Sequence, residues 1–71
     1  MKLLDTVALL EDMPMLNLYR GQVGTIVEAY ESGVFEVEFV DVKGQTYALE
    51  TLEASQLMLL QYQCLSERKT A

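Results

Sequence analysis

Three short runs punctuated by glycine decide the fold of this chain: Arg20-Gly-Gln-Val-Gly-Thr-Ile-Val-Glu, Gly33-Val-Phe-Glu-Val-Glu-Phe and Gly44-Gln-Thr-Tyr-Ala-Leu. Each run reads as a short β-strand beside a turn. Glycine permits the tight turns and close backbone approaches that small barrels need at their corners. The runs therefore predict a small, strongly bent antiparallel β structure in which the glycines mark corners.

The clearest strand is predicted over residues 34–40, where successive side chains alternate between two faces. Phe35 and Phe39 belong to an apolar face that we expect to be buried. Glu36 and Glu38 belong to the opposite face. The simplest interpretation of these two acids is a solvated strand face, and the alternative is a surface that meets a basic partner.

Spacing and turn signals predict four further strands, over residues 6–10, 23–30, 45–50 and 57–60. One helical or 3-10 turn over residues 53–56 is expected before the last strand. That strand should continue to about Tyr62, although a helix over 53–69 competes with it because the segment lacks Gly and Pro. The chain is thus predicted to be an all-β, five-stranded barrel over residues 1–62, followed by a polar C-terminal tail over 63–71.

The size of the chain bounds what it can do alone. Seventy-one residues make one domain, and a chain this short buries only about 60% of its unfolded surface. Cys64 is the only cysteine and histidine is absent, so neither an internal disulfide nor a zinc site is expected, and no cofactor is predicted. Because such domains usually need a further source of stability, we expect a partner or self-association, with Leu57 to Leu65 as the candidate dimer segment.

The charge and the apolar stretches limit partners and location. Eleven acidic residues against five basic ones give a net charge of −6, which argues against a nucleic-acid partner. The N-terminus lacks the apolar core of a signal peptide, and no apolar stretch is long enough to span a membrane. Together with the lone cysteine, this predicts a cytoplasmic protein.

The segment between the first two strands, residues 11–22, is unusually apolar for a loop. We expect Leu18 to fold back and plug an open end of the barrel. The alternative is that the loop is a contact patch, because methionine adapts its shape to varied partners. The candidate contacts for a partner protein, from this loop and from the acidic strand face, are Met13, Met15, Leu16, Tyr19, Glu36 and Glu38.

The residues give little support to catalysis. Gly21 and Gly24 could suggest a phosphate cradle, but the Gly-Lys-Ser/Thr ending of a P-loop is missing. Without histidine there is no Ser-His or Cys-His pair to activate a nucleophile. Glu36 and Glu38 are expected to point outward, whereas acid–base chemistry needs carboxylates in contrasting environments within a cleft. We therefore do not expect an enzyme.

Two family resemblances bear on the fold. The runs Asp5-Thr-Val-Ala-Leu and Gly21-Gln-Val-Gly-Thr-Ile-Val are similar to the opening of KOW-type SH3-like barrels, although the gap between them is longer here. More closely, the chain resembles a family of short bacterial proteins known as domain of unknown function 4926. The residues that carry this resemblance are Leu9-Leu-Glu-Asp-Met-Pro, Leu18-Tyr-Arg-Gly-Gln-Val-Gly-Thr-Ile-Val-Glu, Phe35-Glu-Val-Glu-Phe-Val-Asp and Thr46-Tyr-Ala-Leu-Glu-Thr-Leu. The resemblance covers nearly all of residues 1 to 60 and implies an SH3-like barrel, with no activity attached.

Three functions stay open at this point. The first is a small acidic protein–protein interaction module whose partner is unidentified. The second is a KOW-like nucleic-acid or ribosome-associated module, resting on Arg20 and Lys43 near the turns. The third is an antitoxin-like or escort protein that masks a basic partner.

Overall fold

The computed structural model describes residues 1–61, which form a single five-stranded antiparallel sheet. The strands are β1 (Thr6–Leu9), β2 (Val23–Ala29), β3 (Val34–Val40), β4 (Thr46–Glu53) and β5 (Leu57–Leu60). Their order across the sheet is β4-β3-β2-β1-β5. The prediction of an all-β fold with five antiparallel strands is confirmed. Within the described residues β4 and β5 are the two edges and do not pair, so the sheet is open.

Some observed strand ends differ from the predicted ones. β1 ends at Leu9 and β2 at Ala29, one residue before the predicted ends, while β4 runs on to Glu53. β4 is longer because β3 offers it partners along its whole length, down to Val34 opposite Glu53. The polar C-terminal tail and the continuation of β5 through Tyr62 lie outside the described residues.

Three 3-10 segments connect the strands: Pro14–Leu16, Glu31–Gly33 and Ala54–Gln56. The last confirms the predicted turn before β5, and the helix that competed with β5 is wrong for residues 57–60. For the first two, a 3-10 conformation was not predicted. They depend on left-handed backbone at Asn17 (φ 61°) and Ser32 (φ 65°), conformations that a sequence pattern does not reveal.

The core lies on one face of the sheet. Its buried members are Val7, Leu9, Leu18, Ile26, Phe35, Val37, Phe39, Leu52 and Leu57. Along β3 they alternate with half-buried or exposed residues, as period-two packing requires. None of the described helical segments is long and apolar enough to cross a membrane.

Gly24 is a point of close backbone approach within β2, as predicted. A Cβ atom there would lie 2.7 Å from Val37 Cγ1 and 2.9 Å from the backbone oxygen of Glu38. β2 pairs with β1 around Gly24 and with β3 further along, so the backbones approach closely at this point. Only glycine fits without moving β3.

Candidate functional site

The outer face of β2 and β3 carries three glutamates. Directly opposed residues of antiparallel strands share a face. In the observed register Glu36 on β3 lies opposite Glu28 on β2, and Glu38 lies opposite Thr25. Because Val37 between the two β3 acids is fully buried, both acids lie on the side away from the core. We call the surface formed by Glu28, Glu36 and Glu38 the acidic face.

Hydroxyl groups hold two of these carboxylates in place. Thr51 Oγ1 donates a hydrogen bond to Glu36 Oε1 at 2.7 Å, and the Tyr30 hydroxyl donates to the same oxygen at 3.3 Å. Thr46 Oγ1 donates to Glu38 Oε2 at 2.5 Å. Glu36 and Glu38 are half-buried, so their side chains have less rotational freedom than those of a fully solvated acid. The acidic face is therefore preordered.

The electrostatics of this face are unfavourable in the isolated chain. Like charges directly opposite each other on neighbouring strands are destabilising, and Glu28 and Glu36 are such a pair. Within residues 1–61 the only ion pair joins Lys2 Nζ to Asp5 Oδ1 at 3.3 Å, and it does not involve the acidic face. No cation among the described residues forms an ion pair with the three carboxylates.

Two pKa shifts reflect these local environments. Desolvation of the Tyr30 hydroxyl raises its pKa above the ordinary 10.0, and the charge and hydrogen bond of Glu36 and the charge of Glu28 add to the rise. The backbone amide of Lys2, which donates to Asp5 Oδ2 at 2.8 Å, lowers the pKa of Asp5, and the Lys2 ammonium lowers it further. Tyr30 is thus kept as a neutral donor facing negative charge.

The loop between β1 and β2 is ordered by a small bridge. Met13 N–H donates to Leu18 O at 2.7 Å and Leu18 N–H donates back to Met13 O at 3.1 Å, enclosing the segment Pro14–Leu16. Leu18 is completely buried, which confirms that it folds back into the core. Met13 is half-buried and packs against the same core.

The exposed tip of the loop consists of the remaining candidate contacts. Met15 has 96% of its surface exposed, Leu16 has 40% and Tyr19 has 46%. Of the four loop residues proposed from the sequence, three therefore offer surface to a partner and Met13 offers little. Because Leu18 and Met13 fix the loop to the core, the tip and the acidic face belong to different surfaces of the domain.

The base of the loop is tied to β4 through Gln22. Its side chain accepts a hydrogen bond from the Tyr19 amide at 2.5 Å and donates to the Tyr47 hydroxyl at 3.1 Å. Tyr47 packs its ring near Phe39, with ring centroids 6.3 Å apart, and still exposes 46% of its surface. Tyr19 and Tyr47 are thus two half-exposed aromatic residues linked through one glutamine.

Sequence reasoning missed the residues that complete the acidic face: Glu28, Tyr30, Thr46 and Thr51. The alternation of residues along the chain does not predict that these side chains share a face. A register shift between Ile26 and Glu28, and another between Phe39 and Val40, change which residues point away from the core. Only the strand register brings them together. No group of three His, Cys, Asp or Glu side chains within residues 1–61 is arranged to hold a metal ion.

Fold and site together define a small all-β domain with one open antiparallel sheet and a preordered acidic outer face. A family model described as Domain of unknown function (DUF4926) matches residues 3–59. The chain belongs to that family, which confirms the resemblance seen in the glycine-bearing runs. No curated protein and no solved structure matches the chain.

Proposed function

We propose that this protein is a non-enzymatic protein–protein interaction module whose acidic face binds a basic segment of a partner protein. The observation that carries the proposal is that Glu28 opposes Glu36 on the sheet, and that neither forms an ion pair with a cation among the described residues. This arrangement costs the isolated domain stability. Lysine or arginine side chains of a partner would relieve the repulsion.

The geometry of the acidic face favours guanidinium and ammonium groups. Thr46, Thr51 and Tyr30 each donate to one carboxylate oxygen, so further oxygens of Glu36 and Glu38 can accept hydrogen bonds from a partner. Arginine presents paired N–H donors that match a carboxylate, and such charge-assisted bonds are about twice as strong as neutral ones. The net charge of −6 would also steer a basic partner toward the domain.

The exposed loop tip is a second contact in this proposal. Met15, Leu16 and Tyr19 place a flexible thioether, an aliphatic chain and an amphipathic ring on one short ordered segment. Methionine and tyrosine are both enriched where proteins meet. An antitoxin-like or escort role, in which the domain masks a basic protein, is one form of the same proposal.

The finer assignments of fold and location belong to this proposal as well. Strand β1 pairs with both β2 and β5, and a 3-10 turn separates β4 from β5, which supports an SH3-like type of barrel. The single cysteine of the sequence supports a cytoplasmic setting, where thiols stay reduced.

The test is binding of full-length protein to an array of lysine- and arginine-rich peptides, measured by fluorescence anisotropy at low and moderate salt. We expect Glu36→Gln and Glu38→Gln to weaken binding on the order of tenfold together, because each removes a charge-assisted contact. Glu31→Gln is the matched control for each single substitution. It removes the same charge from an exposed residue whose side chain makes no hydrogen bond in the described structure.

Two results would overturn the proposal. Equal weakening by Glu31→Gln would mean that net charge alone attracts the peptides. Absence of peptide binding at low salt, together with salt-sensitive binding to mixed RNA, would favour the KOW-like nucleic-acid function instead.

A further inference from the structure

The two edges of the sheet are protected differently. β4 carries Glu50 and Glu53, and its pairing with β3 is interrupted by a register shift between Phe39 and Val40. Residues 54–61 next to and within β5 contain no charged residue and no proline. β5 pairs with β1 in one uninterrupted register. Natural sheets block their edges with charges, prolines and bulges, and within residues 1–61 none of these protects β5.

The backbone groups that β5 turns to its open side follow from its pairing with β1. Successive residues of an antiparallel strand direct their N–H and C=O groups alternately to the two sides. Leu10 N–H donates to Gln56 O at 2.9 Å, so the backbone N–H and C=O groups of Met58 and Leu60 also point toward β1. The backbone groups of Leu57 and Leu59 therefore point toward the open edge.

One of these edge groups is already used. Leu57 N–H donates to Ala54 O and closes the preceding 3-10 turn. The open side of β5 thus presents the Leu57 carbonyl and both the amide and the carbonyl of Leu59, for which residues 1–61 supply no strand partner.

We propose that a second copy of this chain pairs with β5, antiparallel and around a two-fold axis through Leu59. Opposed residues of paired strands lie on the same face of the sheet, so a core-facing residue must pair with a core-facing residue of the second copy. The two-fold axis can therefore pass through a residue but not between two residues. An axis at Leu59 lets the two Leu59 residues exchange both of their hydrogen bonds. It also places the Leu57 carbonyl opposite the Gln61 amide of the second copy.

The alternative register, centred on Met58, is poorer. It would pair Leu57 with Leu59 and would require the Leu57 amide, which is bonded to Ala54. The Leu59 register can make four backbone hydrogen bonds and the Met58 register only two. Backbone hydrogen bonding thus favours the Leu59 axis over the Met58 axis.

The charge distribution indicates that the β5 edge binds a second copy of the chain. Each chain carries a net charge of −6, so two copies repel each other through their acidic faces. Strand β5 itself contains only uncharged residues, including the partly exposed Met58 (45%) and Leu59 (37%). A basic partner would find no carboxylate on this strand, whereas an identical uncharged strand is complementary to it.

The test is sedimentation equilibrium of the full-length protein from micromolar to millimolar concentration. We expect the mass to rise from 8.0 kDa to twice that value. Leu59→Pro removes the outward-facing amide and leaves the Met58 and Leu60 bonds to β1, so it should weaken dimerisation on the order of tenfold or more while the circular dichroism spectrum stays that of a β protein. Leu59→Lys, which charges the edge without changing the backbone, should act likewise.

Leu49→Lys is the matched control, since Leu49 is an exposed leucine on the opposite edge strand β4. It should leave the dimer intact. In the wild-type protein, hydrogen exchange of the Leu59 amide should slow as concentration rises. A monomer at every concentration would overturn the proposal, and so would a dimer that survives both Leu59 substitutions. Protection of the Leu59 amide that is independent of concentration would show that residues 62–71 of the same chain cover the edge, which also refutes it.

Discussion

Glu28 and Glu36 lie directly opposite each other on neighbouring antiparallel strands, on the face of the sheet that points away from the core. Facing carboxylates of this kind lower the stability of a sheet. Thr51 and Tyr30 nonetheless hold Glu36 in position through hydrogen bonds at 2.7 Å and 3.3 Å. Glu36 therefore keeps its position despite the repulsion.

Relieving this repulsion should stabilise the domain. We expect Glu28→Gln to raise the free energy of unfolding by about 0.2–1 kcal/mol, because it removes one of two facing charges and leaves the hydrogen bonds to Glu36 intact. Urea denaturation measures the change through the midpoint at constant slope. Added salt should stabilise the wild-type protein more than the variant, since screening weakens a repulsion that the variant lacks. Equal salt responses would contradict this account.

The Tyr30 hydroxyl should report the charge of the acidic face. Its pKa is raised above 10.0 in the folded state by desolvation and then by Glu36 and Glu28. Because the folded protein holds this proton more tightly than the unfolded chain, the contribution to stability is fully present below about pH 10 and is lost as pH rises through the folded pKa.

Urea denaturation between about pH 9 and about pH 11 measures this loss of stability. Tyr30→Phe should flatten the decline. Subtracting the spectrophotometric titration of Tyr30→Phe from that of the wild-type protein isolates the titration of Tyr30. The same difference, measured in the Glu36→Gln background, should show Tyr30 titrating at lower pH. A Tyr30 titration that Glu36→Gln leaves unchanged would show that the carboxylate does not act on the hydroxyl.

The alternation in residues 34–40 was enough to predict which β3 side chains are buried and which form the acidic strand face. It was not enough to predict what lies beside them. Ile26 and Glu28 are two positions apart and should share a face, yet the register shift between them puts Ile26 in the core and Glu28 outside.

Thr46 and Thr51 show the converse. They are five positions apart and should lie on opposite faces, but the shift between Phe39 and Val40 lets both reach the acidic face. Bulges of this kind are set by pairing between distant strands, so a local pattern does not contain them. The number and type of the strands, and the burial of Leu18, depend on local apolar residues and were predictable.

Gly24 and Gly21 should both resist substitution, for different reasons. Gly24→Ala would place a Cβ atom 2.7 Å from Val37 Cγ1 and 2.9 Å from Glu38 O, so we expect a loss of about 1–3 kcal/mol from overpacking. Adding Val37→Ala should restore little of this, because the Glu38 oxygen is backbone and remains.

Gly21 has φ +92°, and a Cβ atom added there would meet no other atom within 4 Å, so Gly21→Ala should cost about 1–2 kcal/mol through backbone strain alone. Thermal denaturation followed by circular dichroism measures both changes. A Gly24→Ala protein as stable as the wild type would mean that β2 and β3 can move apart at this point.

The loop between β1 and β2 should separate into a structural half and a contact half. Leu18 is fully buried, so Leu18→Ala leaves a cavity in the core and should cost about 2–5 kcal/mol, enough to unfold much of so small a domain. Met15 is 96% exposed, and Met15→Ala should change stability by no more than about 0.5 kcal/mol. Urea denaturation of the two variants gives the comparison directly. Once a basic peptide that binds is in hand, Met15→Ala should weaken its binding without loss of fold. If Met15→Ala melts the domain, the tip is part of the core and cannot serve as the second contact.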